Sequence, residues 1–187
     1  MSPRLPSFAR QGVLHLLMGP WFETVADLIS GADALRHRSY GVIECREGRL
    51  SQVRLRPFPK IASVPGIFLF GNWFHRLWPG DRFWLYYNQP LRFPRFLVLR
   101  YVVSTRATTF ATCLRSLEVL DEVARLKRSD AILCDVANWR ISDRLMARWG
   151  WEPHCPSSWH RHFIKRFYGE YTAKAGVATA AREPIGV

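Results

Sequence analysis

Apolar and polar positions fall into blocks that divide the chain into strands and helices. Over 20–35 the apolar residues Phe22, Val25, Ala26, Leu28 and Ile29 recur at helical spacing and Gly31 breaks the run, which predicts a helix there. Residues 40–45 and 50–56 flank Arg46-Glu47-Gly48-Arg49 and predict a hairpin with glycine in its turn. Pro57, Pro59 and Pro65 punctuate the loop that follows, and 66–74 and 82–88 read as strands joined through Pro79-Gly80-Asp81. Residues 96–104 form a nearly continuous apolar run of strand length, interrupted by Arg100. A polar loop over 105–112 leads into a helix whose apolar face is Leu114, Leu117, Leu120, Val123 and Ala124 and whose wet face carries Glu118, Asp121, Glu122, Arg125 and Arg128. Ser129-Asp130 ends that helix. Residues 131–137 make a short buried strand, apolar on both faces apart from Asp135.

Ile141, Leu145 and Trp149 outline a shorter helix stopped by Gly150, and 162–168 alternates as a last strand. The order strand, loop, helix, buried strand, helix, strand predicts a mixed α+β or α/β sheet. In it, antiparallel strands feed a parallel pair joined by a right-handed helical crossover.

Composition changes the picture in two places. The 187 residues carry 48% hydrophobic side chains, enough for one domain with a real core, which excludes a disordered chain or a disulfide miniprotein. The net charge of +12 favours a polyanionic partner such as nucleic acid, an anionic membrane face or a phosphorylated cofactor. Yet 23 of the 27 cations are arginine, a bias that a GC-rich genome supplies without any selection for binding. Residues 61–112 hold 13 of the chain's 26 aromatics, six arginines and a single acid, Asp81. That stretch suits either base stacking, an acyl pocket, or a strand-rich core with arginine on its wet face. Cys45, Cys113, Cys134 and Cys155 are widely spaced, make no CxxC pair and predict free thiols in a reducing, cytoplasmic setting. No segment is apolar enough to span a membrane, and the short apolar stretch 12–22 lacks the cleavage site of a signal peptide. Residues 1–10 read as a loose arm, 11–169 as one domain and 170–187 as a tail.

A strand running straight into a helix leaves unpaired N–H groups and a partial positive charge at the junction, here 104–113 with Arg106 beside it. Cys113 stands in that first turn, where a thiol pKa is expected to fall. His154, Cys155, His160 and His162 are metal-capable side chains, but their spacing is not that of a known finger, and solvated loop histidines are the reading adopted.

With Arg106-Ala107-Thr108-Thr109-Phe110-Ala111, then Cys134-Asp135-Val136-Ala137-Asn138, then Arg148-Trp149-Gly150-Trp151-Glu152 in this order, the stretch 96–168 resembles the GNAT superfamily of N-acetyltransferases. Arg106-Ala107-Thr108-Thr109-Phe110-Ala111 follows the family's pyrophosphate loop, (Gln/Arg)-x-x-Gly-x-(Gly/Ala), with Thr109 in the glycine position. Cys134-Asp135-Val136-Ala137-Asn138, a helix, and Arg148-Trp149-Gly150-Trp151-Glu152 resemble its fifth strand, its Asn and its helix–Gly-Phe-Glu ending. The resemblance implies a GNAT-like sheet with a splayed parallel pair and acetyl-CoA, or another acyl-CoA, as co-substrate, without a metal. Val102 and Val103 would pair with pantetheine, Arg106, Thr109, Phe110, Ala111 and Thr112 would cradle pyrophosphate, and Asn138 would hold an amide. It departs from the family at Met146, where a Tyr acid is usual, and the fourth strand lacks the family's carboxylate. Asp135, on a face with Ala131, Leu133 and Ala137, is then the candidate base, or else pairs with an arginine or caps the next helix. Tyr101 is the candidate acid, or a core aromatic. The expected activity is N-acyl transfer to a small-molecule or peptide amine. The alternatives are an inactive relative that binds or regulates, and a nucleic-acid-binding module.

Overall fold

A computed structural model describes residues 22–59, 79–136, 141–155 and 161–171. It opens with strand β1 (Glu23–Val25) and helix α1 (Ala32–His37). Of the helix expected over 20–35, residues 23–31 are instead a strand and a turn, 32–35 are helical within α1, and 20–21 lie outside the described residues. Asp27 Oδ2 accepts the N–H groups of Ile29 and Ser30 at 3.1 and 2.8 Å, which turns the chain. Val25 enters the core, while Ile29 stays exposed. The apolar spacing over 22–29 therefore served no helix face.

β2 (Tyr40–Arg46) and β3 (Arg49–Arg56) form the expected hairpin. Its turn residues Glu47 and Gly48 both have positive φ, 49° and 73°, the left-handed pair that a two-residue turn needs. β4 (Arg82–Asn88) and β5 (Phe96–Ser104) follow with the expected bounds. Helix α2 (Phe110–Leu126) begins earlier than its apolar face suggested, so 110–112 are its first turn rather than loop. Then come β6 (Ala131–Asp135), α3 (Asp143–Arg148), β7 (Glu152–Pro153) and β8 (His162–Arg166). β6 is shorter than expected, and the strand expected over 66–74 lies outside the described residues, as do the arm and most of the tail.

The fold is mixed α+β. Eight strands of the described residues make one sheet in the order β1-β3-β2-β4-β5-β6-β8-β7. Every neighbouring pair is antiparallel except β5 and β6, which are parallel across the α2 crossover. α2 lays Val119, Leu120, Val123 and Ala124 on one face of the sheet, against a cluster that includes Ile43, Val53, Leu85, Leu97 and Ile132. Each such fully buried aliphatic side chain contributes about 1.5–3 kcal/mol. Lys165 Nζ donates to Asp121 at 2.6 Å and fastens β8 to α2 on that same face. All four cysteines are free, and no described helix is long and apolar enough to cross a membrane.

Among the described residues three buried side-chain polar atoms lack a hydrogen-bond partner, Arg54 Nε, Ser129 Oγ and the Tyr87 hydroxyl, and the last lies in the core cluster. Tyr87 is fully buried, and its hydroxyl has no hydrogen-bond partner among the described residues. A buried polar group left unpaired costs about 1–3 kcal/mol. Tyr87→Phe is therefore expected to stabilise the protein by about 1 kcal/mol, read as a higher midpoint in urea at unchanged slope. A lower midpoint would mean that the hydroxyl is hydrogen-bonded in solution.

Candidate functional site

The parallel ladder is short. β5 pairs with β6 only from Phe96↔Ala131 to Leu99↔Cys134, while β5 runs on to Ser104. Beyond Leu99, Arg100–Ser104 has β4 on one side and no strand on the other among the described residues. The register with β4 steps at this place: Tyr86 faces Tyr101 but Tyr87 faces Leu99, so Arg100 is the extra residue of a β-bulge. A bulge bends its strand and sharpens the local twist, which is the physical reason the two parallel strands part here. A cleft results, with one free backbone edge of β5 along it. Val102 is 40% exposed, and Val103 is half-buried.

Side-chain alternation decides which groups share the cleft's two faces. Val98 stands opposite both Asn88 and Leu133, and the bulge returns Tyr101 to the same face. Tyr101 and Asp135 therefore lie on the face away from α2, on either side of the parting strands. Asp135 is exposed, at the last paired position of β6, opposite His162. Tyr101 packs on Tyr86, with ring centroids 5.7 Å apart. Burial and then the neighbouring Tyr86 push the Tyr101 phenol above its ordinary pKa, so it keeps its proton at neutral pH.

A second group on this face was not legible in the sequence. Glu44 is 2% exposed and accepts from Arg46 Nε at 2.8 Å, Gln52 Nε2 at 2.7 Å and Arg54 Nη2 at 3.4 Å. Burial pushes this carboxyl up, but the hydrogen bonds from Gln52 and Arg46 and the charges of Arg46 and Arg54 outweigh it and hold it below its ordinary value. Its charge is felt by Tyr86, whose phenol burial raises above its ordinary pKa against the pull of Arg54 and Arg56, with Glu44 adding to the rise. Nothing in an alternating strand marks one carboxylate as buried.

The strand–helix junction is knit by hydroxyls. Thr109 is the N-cap of α2, its Oγ1 accepting the N–H of Thr112 at 3.3 Å. Thr105 Oγ1 donates to the carbonyl of Gly80, and Thr108 Oγ1 to that of Arg82 at 2.7 Å. Asp81 then reaches across: it accepts the N–H of Thr109 at 3.0 Å, Thr109 Oγ1 at 2.7 Å and Thr112 Oγ1 at 2.6 Å. Thr112 Oγ1 also accepts the N–H of Gly48 at 2.7 Å, which ties the β2–β3 turn to the helix. Burial nudges the Asp81 carboxyl up, but the Thr112 and Thr109 hydroxyls and the Thr109 N–H bring it below its ordinary pKa. One carboxylate thus stands at the positive end of a 17-residue helix, where an external anion would otherwise be drawn. The N–H groups of Phe110 and Ala111 have no partner among the described residues; both residues are exposed, as is Arg106. Sequence offered one signal for Asp81: it is the only acid among residues 61–112.

Three other expectations meet the structure here. Asn138 lies outside the described residues. The thiol of Cys113 does not become acidic at the helix start; burial pushes its pKa up to about 11, because desolvating a thiolate outweighs the helix end. His154 Nε2 lies 3.4 Å from Cys155 Sγ, but among the described residues no three metal-capable side chains converge.

No protein-family model matches this chain, and no curated protein matches it in sequence. Among solved structures, that of nourseothricin acetyltransferase is similar at 9% identity and a TM-score of 0.37, over 78% of this chain and 98% of that one. At that score the likeness says nothing of what this chain binds or does.

Proposed function

We propose that the chain binds an acyl-CoA in the cleft between β5 and β6 and transfers the acyl group to an amine. The observation that carries this reading is the parting of a parallel pair beside a free strand edge that runs directly into a long helix. The free edge at Val102 and Val103 offers peptide groups for the amides of pantetheine. The open N–H groups of Phe110 and Ala111, beside Arg106, and the Thr109–Thr112 turn offer the pyrophosphate its contacts. Asn138 keeps its implied role toward the pantetheine amide. In the transfer the amine nitrogen attacks the thioester carbonyl, the C–N bond forms and the C–S bond breaks. Asp135 takes the amine proton through water, and Tyr101 returns one to the departing thiolate. Proximity in the cleft supplies most of the acceleration.

Asp81 favours a second reading, an inherited fold that binds or regulates without CoA, because its carboxylate already satisfies part of the helix end. A thermal melt with acetyl-CoA, against dephospho-CoA and ATP, separates the two. Under the first reading, ligand at a hundred times its dissociation constant adds about 2.7 kcal/mol, roughly 5–10 °C for a domain of this size. Arg106→Ala should cut that shift while leaving the unliganded midpoint unchanged. A flat response to millimolar acetyl-CoA and to longer-chain acyl-CoA alike overturns the acyltransferase reading and leaves the second.

A further inference from the structure

The face of the sheet away from α2 carries a groove of about 630 Å³ that runs across β5, β6 and β8 just below the cleft. The two faces of these strands differ sharply. Leu97 and Ile132 are fully buried in the core, whereas their neighbours Val98 and Leu133 are only half-buried and line the groove. Phe93 and Phe96, edge to face at 6.4 Å, wall it on one side, and Phe93 is 61% exposed. Tyr168, 79% exposed, stands at its far end with φ of +47°, a left-handed conformation unusual for a bulky residue. That backbone turn sets an aromatic ring beside the apolar surface of the described residues.

The groove's charged lining is already engaged: Arg166 pairs with Glu152, and Asp130 with Arg95 at 2.5 Å. The remaining ionisable side chain of the described lining is His154, whose Nε2 stands 3.4 Å from Cys155 Sγ, and the rest of that lining is apolar or aromatic. The groove therefore suits hydrocarbon, and its volume is far larger than an acetyl group requires. Its upper end is Val98–Leu133, one residue below Leu99–Cys134, the last rung before β5 and β6 part. A chain attached to a thioester in the cleft enters the groove directly.

We propose that the groove between Phe96, Val98 and Leu133 holds the hydrocarbon tail of a medium- or long-chain acyl thioester, so that the donor is a fatty acyl-CoA rather than acetyl-CoA. This rests on the CoA-binding reading above. The test is equilibrium binding of CoA, acetyl-, butyryl-, octanoyl-, dodecanoyl- and hexadecanoyl-CoA to the full chain, with free dodecanoate as a separate probe. Burial of each methylene in a half-open groove is expected to tighten binding about two- to fourfold, with a plateau once the groove is full. Val98→Trp, whose ring would occupy the groove, should flatten this dependence and leave the affinity for CoA itself unchanged. Binding of CoA and acetyl-CoA with no gain for longer chains overturns the groove proposal and leaves the CoA reading standing. Binding of dodecanoate without any binding of CoA overturns both, and assigns the groove to a free fatty acid. The wild-type series decides the matter even if Val98→Trp fails to fold.

Discussion

Gly41→Ala is expected to destabilise the protein by about 3 kcal/mol, lowering the melting midpoint by roughly 6–12 °C. Gly41 lies in β2 opposite Tyr87 of β4 and Leu55 of β3, at the centre of the first half of the sheet. A Cβ there would sit 2.5 Å from the Tyr87 hydroxyl oxygen and 2.6 Å from two ring carbons. Tyr87 is fully buried in the same close-packed cluster as Leu35, Leu85 and Leu97, so its ring cannot swing aside without displacing them. Removing the hydroxyl alone does not relieve the contact, because the ring carbons remain, and Tyr87→Phe should rescue little. Tyr87→Leu should rescue most of it, giving a coupling of about 2 kcal/mol in a double-mutant cycle by urea unfolding. An equal loss in both backgrounds would place the cause in the backbone of β2 instead.

Gly41 also illustrates what a sequence conceals. The hairpin was legible because Glu47-Gly48 is a local signal, β4 and β5 because they are apolar runs of strand length, and α2 because its helical periodicity is long. The segment 22–29 misled because five apolar residues at helical spacing also fit a three-residue strand followed by an Asx turn, once pairing with β3 is available. The parallel pair and its crossover followed from element order, and the structure adds the Arg100 bulge that parts the strands. Nothing local announces that bulge, since an arginine within an apolar run reads equally well as a wet-face residue. The buried Glu44 and the open groove depend on which face each strand presents. A nearly continuous apolar run such as 96–104 carries no alternation from which to choose.

Candidate chemistry divides along the same line. Arg106, Thr109 and Asp135 are legible as candidates because strand-to-helix junctions and isolated carboxylates stand out against apolar surroundings. Their electrostatic setting is not, because it comes from residues far away in the chain. Asp81 reaches Thr109 and Thr112 across 28 and 31 residues, and Glu44 gathers Gln52 and Arg54 from the next strand. The consequence bears directly on function. The helix end that a phosphate would seek is partly neutralised by the protein itself, while beside it the edge of β5 past Leu99 has no strand partner among the described residues.

Asp81→Ala should therefore do two opposite things. It removes a carboxylate that accepts three hydrogen bonds at the start of α2, and the expected cost is about 2 kcal/mol, or a fall of roughly 4–8 °C in midpoint. The pH dependence identifies the charge as the cause. The folded-state pKa of Asp81 lies below its ordinary value of 3.8, so its contribution is complete above that pH and fades as the pH falls through it. The difference between wild type and Asp81→Ala should shrink below about pH 4, and Asp81→Asn should sit between them at pH 7. A difference that stays constant to pH 3 would mean that packing, not charge, holds the junction. At the same time the substitution removes a like charge from beside the place proposed for pyrophosphate. A charge pair about 6 Å apart in a half-exposed setting is worth on the order of 1 kcal/mol, so CoA should bind Asp81→Ala about fivefold more tightly than wild type at low salt. Loss of CoA binding in this variant, measured below its own midpoint, would reverse the assignment. Asp81 would then be the residue that holds the Phe110 and Ala111 N–H groups in place for the phosphate, rather than its competitor.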